Sequence, residues 1–260
     1  MNGRKTQVSK SARREASARL AGKCAVVTGG NRGIGLAIAK ALLNESCSVM
    51  ITGRDRVALR NAKNELTAVA ANLDSVPEIM AETCDVREER SVAAVFAKAK
   101  KRWGRLDVLV NNAGISQALY EVADTPVDVW RSVIDINLTG MFLCTKAALP
   151  LMERGATIVN TLSLTVKTAV PKFGAYNASK AGALGLTDTL RGELTPKGVR
   201  VMALIPGATD TAIWEQFWPE APREKMVRAE DVAAAVVYAV TLPPEASLTE
   251  LMLVPSVGLL

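Results

Sequence analysis

Residues 176–180 read YNASK, which places a tyrosine and a lysine four positions apart with small residues between them. On a helix, positions i and i+4 share a face, so Tyr176 and Lys180 would point in the same direction. One interpretation is a chance pair on a solvated helix face. The other is a proton-transfer pair, because an ammonium close to a phenol lowers the phenol's pKa from its ordinary ~10. The spacing alone does not decide between them.

A glycine-rich turn is the second chemical signal. Residues 28–35 read TGGNRGIG, and Gly29, Gly33 and Gly35 have the spacing G-x-x-x-G-x-G directly after an apolar run. Glycine allows a positive φ and brings the backbone close to a ligand. The N-terminus of the following helix offers unpaired N–H groups and a positive dipole end to a pyrophosphate. After the first strand of a βαβ unit, this turn predicts a dinucleotide site.

The end of the second apolar run indicates which dinucleotide binds. NAD is normally held by an acid near this position, which accepts from the ribose 2′-hydroxyl. Here the sequence is ITGRD (51–55), so Gly53 stands in that place and Arg54 follows it. Asp55 is one step later and is predicted to cap the next helix. With Arg32 as a second cation, the pattern predicts NADP rather than NAD, because arginine binds a 2′-phosphate in a bidentate way.

Strands and helices that alternate along the chain would position these residues. Apolar runs predict strands at 24–29, 47–52, 77–84, 106–112, 156–162, 199–206 and 247–255. Helical patterns cover 32–44, 55–71, 126–153 and the YNASK segment. Buried strands that alternate with helices form a parallel sheet covered on both faces. We therefore predict one doubly wound, Rossmann-type α/β domain over residues 22–260, with a mostly parallel seven-stranded sheet.

The net charge belongs to a short N-terminal segment. Residues 1–23 carry seven Lys or Arg and one acid, which accounts for the whole net charge of +6, so the remainder is neutral. We predict a disordered basic tail over residues 1–21 and no nucleic-acid partner; an arm that binds membrane or nucleic acid is the alternative. The sequence contains no run of about 18 apolar residues and no apolar leader, which predicts a cytoplasmic protein without a membrane span.

Metal and thiol chemistry are not expected. The chain has no histidine, and its four cysteines do not form a C-x-x-C pair. The expectation is therefore that no metal site exists and that no base is present to activate a catalytic thiol. The four are interpreted as small core residues in a reducing compartment: Cys24, Cys47, Cys84 and Cys144.

Further short motifs accompany the two described above in a fixed order. They are CDV (84–86), NNAG (111–114), DINLTG (135–140), Ser163 thirteen residues before Tyr176, and PGATDT (206–211). Together the series resembles the short-chain dehydrogenase/reductase family over about residues 22–255. One departure is NTLSLT, which leaves Leu162 where many members have a first serine.

The resemblance implies a role for each matching residue. Tyr176 would be the acid or base at a carbonyl oxygen, Ser163 would hydrogen-bond the same oxygen, and Lys180 would also hold the nicotinamide ribose. Asn137 would support a water that links Lys180 to solvent. The implied cofactor-binding set is Gly29, Asn31, Arg32, Gly33, Ile34, Gly35, Arg54, Asp85, Val86, Asn112, Ala113, Gly114, Tyr176, Lys180, Pro206, Gly207, Thr209 and Thr211. Alternatively, Ser163 only satisfies a strand-end N–H and Asn137 only distorts its helix.

The substrate side is less informative. Trp214, Phe217 and Trp218 have helical spacing in the segment where family members build a substrate lid, and they either pack the lid onto the body or line an apolar pocket. LVPSVGLL (253–260) replaces the V-D-G-G of many relatives and resembles a subset that acts on small carbonyl or hydroxy-acid compounds, or whose substrate is unknown.

The resemblance implies an NADP(H)-dependent oxidoreductase acting on a ketone or aldehyde, or on a secondary alcohol in reverse, similar to the 3-oxoacyl-carrier-protein reductases. It also implies a homodimer or homotetramer. The alternative is a non-catalytic NADP-binding sensor or scaffold on the same fold.

Overall fold

A seven-stranded parallel sheet forms the centre of the computed structural model, which describes residues 18–73 and 76–258. The strands are β1 Cys24–Val27, β2 Ser48–Gly53, β3 Ile79–Thr83, β4 Val108–Asn111, β5 Thr157–Thr161, β6 Arg200–Pro206 and β7 Glu250–Leu253. Their order is β3-β2-β1-β4-β5-β6-β7, and each neighbouring pair is parallel. The predicted fold class and all seven predicted strands are confirmed.

Helices cover both faces of this sheet. They are α1 Gly33–Asn44, α2 Arg56–Ala70, α3 Glu89–Trp103, α4 Val127–Ile134, α5 Gly140–Ala148, α6 Gly174–Leu194 and α7 Ala229–Val240. Strand β1 shows why its sequence is apolar without alternation. Ala25 and Val27 pack into one core with α1, α2 and α7, whereas Val26 packs into the other core with α3, α5 and α6. A strand that is buried on both sides needs apolar residues at every position.

The helical region predicted over residues 126–153 is observed over Val127–Leu151, with a change of helix type along it. A five-residue π turn, Asp135–Thr139, separates α4 from α5, and a 3₁₀ turn, Leu149–Leu151, follows α5. Within the described part of the chain, the stretch Val127–Leu151 is the one long and apolar enough to cross a membrane by length and composition. Ile136, Cys144 and Leu151 lie in the hydrophobic core, so the stretch acts here as a core helix.

The order of the strands reverses next to β1. From β1 the chain moves outward through β2 to β3, then returns to the other side of β1 with β4. The loops after β1 and β4 therefore separate at the carboxyl ends of two neighbouring strands. In open α/β sheets this separation opens a crevice in which ligands bind. The predicted glycine turn and NNAG motif follow these two strands.

The predicted boundary of the N-terminal tail, residue 21, lies too far along the chain. Leu20 is 6% exposed and belongs to the hydrophobic core, and its amide donates to the Glu45 carbonyl at 2.9 Å. The Arg19 guanidinium pairs with the Glu45 carboxylate at 2.6 Å. A single leucine gives no periodic signal from which the boundary of a tail could be placed. The rest of the predicted tail, residues 1–17, lies outside the described residues.

Candidate active site

One cavity of about 890 Å³ lies at the carboxyl ends of the strands. It extends from the glycine turn, past the end of β2, to Tyr176 and the segment after β6. Except for Gly35 and Asn137, every predicted catalytic, cofactor-binding and lid residue borders it. The structure thus brings together side chains from seven separate motifs, and the two exceptions lie behind the wall.

The glycine turn has the backbone that its sequence predicts. Gly29 and Gly33 have φ values of 62° and 52°, a region that side chains other than glycine rarely adopt. Gly35 serves a different purpose from the predicted ligand contact. A Cβ at Gly35 would lie 2.4 Å from the Asn112 Nδ2 atom and 2.5 Å from the Gly29 carbonyl oxygen. Gly35 therefore lets α1 pack tightly on its own turn and on the loop after β4.

Thr28, which sequence reasoning missed, ties the two loops of the crevice together. Its hydroxyl oxygen accepts from the amides of Asn112 and Ala113 at 3.0 and 3.1 Å and is 3.3 Å from the Val110 carbonyl oxygen, to which it donates. The Asn112 side-chain amide donates in turn to the carbonyls of Thr28 and Gly29. Hydrogen bonds thus hold the TGGNRGIG and NNAG loops together. The threonine that begins TGGNRGIG is the sequence feature that could have indicated this role.

Among the described side chains at the far end of the cavity, two cations have no ion pair and two carboxylates are hydrogen-bonded. Arg32 and Arg54 are exposed and form no ion pair within the described residues. Asp55 caps α2, as predicted, by accepting from the amides of Val57 and Ala58. The Asp85 carboxylate pairs with Arg87 at 2.6 Å, and this hydrogen bond lowers the pKa of Asp85. This end therefore suits an anionic group rather than a hydroxyl donor.

Tyr176, Ser163 and Lys180 meet at the other end of the cavity. Ser163 follows β5 and its hydroxyl oxygen accepts from the Thr165 amide at 3.2 Å, which leaves the hydroxyl proton free to donate into the cavity. The hydroxyl faces the Tyr176 phenol closely enough to lower the pKa of that phenol. The Lys180 Nζ donates to the Thr161 carbonyl at 2.9 Å and lies 5.6 Å from the centre of the Tyr176 ring.

The pKa shifts of the two groups in this structure follow burial, whereas the predicted lowering of the Tyr176 pKa concerned Lys180 together with an oxidised nicotinamide. Burial raises the pKa of Tyr176, and the hydrogen bond from Ser163 opposes this only in part. Burial also lowers the pKa of Lys180 to about 8. The physical reason is that the ammonium lies over the ring and is bound to a carbonyl, while desolvation penalises both charged forms. Burial therefore favours the protonated form of Tyr176.

Asn137 acts from behind the cavity wall. It lies in the π turn, and its side-chain oxygen accepts from the Ile115 amide at 2.9 Å while its Nδ2 donates to the Ile115 carbonyl at 3.0 Å. The same Nδ2 atom donates to the Ser179 hydroxyl at 3.1 Å. Asn137 thus fixes the loop after β4 against α6, one residue before Lys180. The alternative interpretation supposed that the Asn137 side chain bonds the backbone of its own helix. Its hydrogen bonds go instead to Ile115 and Ser179.

Gln117 was also missed, and it contacts the backbone of Tyr176 itself. The side chain is 4% exposed; its oxygen accepts from the Tyr176 amide at 2.9 Å, and its Nε2 donates to the Lys172 carbonyl at 3.3 Å. Tyr176 is in the first turn of α6, where amides have no partner within the helix. Lys172 has a φ of 67°, an uncommon conformation outside glycine. No sequence signal marks a buried glutamine in a loop.

The three lid aromatics line the cavity, but not from one helix face. The 3₁₀ helix Ala212–Gln216 contains Trp214 and ends before Phe217 and Trp218. The Trp214 indole donates to the Thr209 carbonyl at 2.8 Å, and the Phe217 ring contacts Phe173 at a centroid distance of 5.0 Å. This segment therefore packs onto the body and also forms part of the cavity wall. The two interpretations offered by the sequence, packing and pocket lining, are compatible.

The cysteines are core residues, as predicted. All four are buried, and burial raises the pKa of Cys24 to about 12 and raises the pKa of the other three thiols. A thiol that stays protonated is a poor nucleophile. Among the described residues, no group of three His, Cys, Asp or Glu side chains could hold a metal ion.

Known proteins resemble this chain over nearly its whole length. The family model described as short chain dehydrogenase matches residues 23–222. An uncharacterized oxidoreductase of Staphylococcus aureus (strain MRSA252) is 34% identical over 238 residues, which cover 91% of this chain and 98% of that protein. An uncharacterized oxidoreductase of Staphylococcus saprophyticus is 32% identical, with 90% and 97% covered.

Solved structures give the same result. An alcohol dehydrogenase from the archaeon Thermococcus sibiricus, complexed with 5-hydroxy-NADP, superposes with a TM-score of 0.81 at 30% identity and covers 90% of this chain and 97% of its own. A short chain dehydrogenase from Burkholderia cenocepacia in complex with NADP has a TM-score of 0.79 at 30% identity, with the same coverage. The family model, the relatives and the fold agree with the resemblance read from the motifs, and the chain belongs to the short-chain dehydrogenase family.

Proposed function

We propose that the protein is an NADP(H)-dependent oxidoreductase that interconverts a ketone or aldehyde and the corresponding alcohol. One observation carries this proposal: the Tyr176 phenol, the Ser163 hydroxyl and the Lys180 ammonium meet at one end of a cavity whose other end has two exposed guanidinium groups. The names of relatives, which include an oxidoreductase and an alcohol dehydrogenase, support the reaction class.

The cavity fits a phosphorylated dinucleotide by its own geometry. The turn at Gly29 and Gly33 allows close approach of a pyrophosphate, and the first turn of α1 contains no acidic residue to oppose it. Arg32 and Arg54 would hold a 2′-phosphate at the end of β2. Lys180 would hold the ribose hydroxyls near the reacting ring. A reduced nicotinamide, when bound, supplies the hydride.

The proton comes from the chain itself. As the carbonyl carbon accepts a hydride and its π bond breaks, the oxygen gains negative charge and Tyr176 transfers its proton to it. The Ser163 hydroxyl donates to the same oxygen and stabilises the developing charge. Because burial keeps Tyr176 protonated, the acid form required for reduction is present at neutral pH. The resulting phenolate lies next to Lys180, which stabilises it and through which the proton would be replaced.

The roles of Asn137 and the assembly state are part of the same proposal. Both polar atoms of the Asn137 side chain are bonded to Ile115 and Ser179, so any water link to Lys180 would use the backbone carbonyl of Asn137.

We also propose a homodimer or homotetramer, supported by the exposed Val127, Trp130 and Phe142 on α4 and α5. Light scattering after gel filtration measures the mass of the assembly.

The alternative function, a non-catalytic sensor, would not need Tyr176, Ser163 and Lys180 around one point.

The test is NADPH oxidation across a panel of ketones and aldehydes, with Tyr176→Phe as the paired variant. This substitution removes one oxygen and leaves the ring packed, so NADPH affinity should stay within about twofold while kcat falls about 100-fold or more, the scale of a positioned acid. NADPH binding by fluorescence and initial rates by absorbance measure the two quantities. A wild-type protein that binds NADPH but reduces no carbonyl compound would favour the sensor. Retention of more than half the activity by the variant would refute the acid role.

A further inference from the structure

The two ends of the cavity differ in charge, which bears on the substrate. Four charged side chains border the nucleotide end: Arg32, Arg54, Asp55 and Asp85. Past Tyr176, the described side chains that line the other end are uncharged except for Lys180. They come mainly from the loops after β4, β5 and β6, and many are apolar, including Leu119, Leu164, Val170 and Ile213.

Lys180 has other partners: the Thr161 carbonyl and, in the proposed function, the nicotinamide ribose and the Tyr176 phenolate. Its side chain is buried, its Nζ donates to the Thr161 carbonyl at 2.9 Å, and it lies 5.6 Å from the centre of the Tyr176 ring. A carboxylate or phosphate beyond the reacting carbonyl would therefore lose water without gaining a cation. Burial of an unpaired anion is strongly unfavourable.

Aromatic rings form a continuous series from the proton donor to the rim of the cavity. Phe173 meets Tyr176 edge to face at 5.6 Å and Phe217 at 5.0 Å, both with an interplanar angle of 74°. Phe217 then meets Trp214 at 5.1 Å, and Trp214 meets Trp218 at 6.0 Å. Phe173 is buried, whereas Trp218 is 40% exposed. The series thus leads from the reacting atoms outward to solvent.

The orientation of Trp214 adds to this apolar character. The indole N–H of Trp214 donates to the Thr209 carbonyl at 2.8 Å. A ligand in the cavity can therefore contact the apolar ring of Trp214 rather than its N–H. Edge and face contacts between aromatic rings contribute beyond the area that they bury. The described part of this wall can therefore recognise shape and apolar surface, with hydroxyls such as Ser116 as its polar groups.

We propose that the substrate is a neutral carbonyl compound with an aromatic or extended apolar substituent that packs on Phe173, Phe217 and Trp214. The proposal rests on the function proposed above and narrows it. It favours aryl and long-chain ketones or aldehydes over the hydroxy-acid class that the C-terminal sequence suggests. Charged 2-oxo acids and phosphorylated carbonyl compounds are excluded by the same charge pattern.

Four related substrates separate charge from ring in one experiment. Methyl benzoylformate, benzoylformate, methyl pyruvate and pyruvate share a 2-oxo group; within each pair a neutral methyl ester replaces the carboxylate, and between pairs a phenyl replaces a methyl. With NADPH, we expect kcat/KM for each ester to exceed that of its anion about 10- to 100-fold, the scale of one unsatisfied buried group. The phenyl ester should exceed the methyl ester about 10-fold. Equal or reversed ratios within the pairs overturn the proposal.

Phe217→Ala tests whether the lid ring gives this preference. The ratio of kcat/KM between methyl benzoylformate and methyl pyruvate should fall about 10-fold, since one aromatic contact is lost. Phe217→Leu, which keeps apolar volume, should restore part of it. Tyr238→Ala, an aromatic deletion at a 60% exposed site on α7, serves as control and should leave the ratio unchanged. An unchanged ratio in Phe217→Ala would remove the lid from substrate recognition.

Ligand binding keeps this inference separate from the proposed chemistry. Trp214 and Trp218 border the cavity, so tryptophan fluorescence can follow titration with methyl mandelate and mandelate, with and without NADP. If no carbonyl compound is reduced, the proposed function fails. Tighter binding of methyl mandelate would then still support the apolar site, whereas equal binding of the two would overturn it as well.

Discussion

At the scale of single residues, the site depends on what surrounds each polar group more than on its identity. Tyr176 and Lys180 were found from a four-residue spacing, yet their pKa shifts follow from burial, which the spacing does not show. A phenol whose pKa is raised and an ammonium whose pKa is lowered both favour the neutral form. Burial therefore favours the protonated phenol at Tyr176, from which the proposed reduction takes its proton.

The lowered pKa of Lys180 predicts a pH-dependent stability. In the folded protein this pKa is about 8, against an ordinary 10.5. Between these values the unfolded chain binds more protons than the folded one, so the free energy of unfolding rises with pH in that window. Below pH 8 both states are protonated and the full cost of the buried charge is present. The rise should be about 3 kcal/mol for a shift of this size.

Urea unfolding between pH 7.5 and 10.5 measures this rise. Because other groups titrate in the same range, the quantity of interest is the difference between the wild type and Lys180→Met, which lacks the titrating group. Lys197→Met removes an exposed lysine and serves as the control. Parallel curves for the wild type and Lys180→Met would contradict a depressed pKa at this position.

The two free arginines predict the cofactor preference. Arg54→Ala and Arg32→Ala should each weaken NADP binding about 10- to 100-fold, the value of a charge-assisted hydrogen bond, and leave NAD binding within about twofold. Arg60→Ala, on the exposed face of α2, is the matched loss of one positive charge. Titration of both nucleotides with all proteins decides the matter. Tighter binding of NAD than of NADP by the wild type would show that this interpretation of Arg32 and Arg54 is wrong.

Gly53 is less suitable for such an experiment than its sequence position suggests. An aspartate there would place the acid that NAD-binding proteins use. In the structure, however, a Cβ at Gly53 would lie 2.7 Å from the Asn31 side-chain oxygen. An introduced carboxylate would first have to displace Asn31, so its effect on NAD binding would mix charge with a local rearrangement. This contact joins the end of β2 to the glycine turn and has no signature in the sequence.

At the scale of elements, local patterns predicted the strands, the glycine turn and the long helical region, but not the change of helix type between α4 and α5. Buried parallel strands are short apolar runs, which are easily recognised. The π turn at Asp135–Thr139 depends instead on bonds from Asn137 to a loop 22 residues earlier in the chain. Likewise, Gln117 contacts α6 only because the fold brings its loop there. Hydrogen bonds between distant parts of the chain cannot be predicted from the periodicity of apolar residues. For this reason the contacts of Asn137 and Gln117 were not predicted.

Gln117 is predicted to position Tyr176 through the first turn of α6. Gln117→Met keeps the length of the side chain but loses both bonds, to the Tyr176 amide and to the Lys172 carbonyl. We expect kcat to fall about 10-fold, because small displacements of a reacting group are costly. KM and NADP affinity should change little, since Gln117 does not border the cavity.

A variant with one of the two bonds separates positioning from stability. Gln117→Glu retains the acceptor for the Tyr176 amide and should recover part of kcat, while its negative charge should move the pH dependence of kcat upward. Kinetics at several pH values and melting temperatures measure both effects. The positioning role would be contradicted if two results were found together. Lower protein stability would fully explain the loss of activity in Gln117→Met, and Gln117→Glu would not restore activity. Gln117 would then be a purely structural residue.

At the scale of the whole molecule, the balance of charge separates the N-terminal segment from the body. The sequence assigns all of the net charge of +6 to residues 1–23, and the remainder is neutral. The structure adds that the segment's last residues belong to the body. Leu20 packs into the core that contains α1 and α7, and Arg19 links Glu45 at the end of α1 with Thr241 at the end of α7. The functional boundary therefore lies before Arg19.

Two truncations and one substitution test this boundary. Removal of residues 1–17 should leave the melting temperature, NADP affinity and assembly state unchanged, because the segment has few apolar residues with which to offset its ordering entropy. Leu20→Ala should lower the free energy of unfolding by about 2–3 kcal/mol, the usual cost of a buried leucine. Removal of residues 1–20 should cost at least as much, since the exposed Arg19–Glu45 pair adds less than about 1 kcal/mol. Urea unfolding and gel filtration of the three proteins measure these effects. A loss of several degrees after removal of residues 1–17 alone would show that the basic segment docks on the body or on a neighbouring subunit.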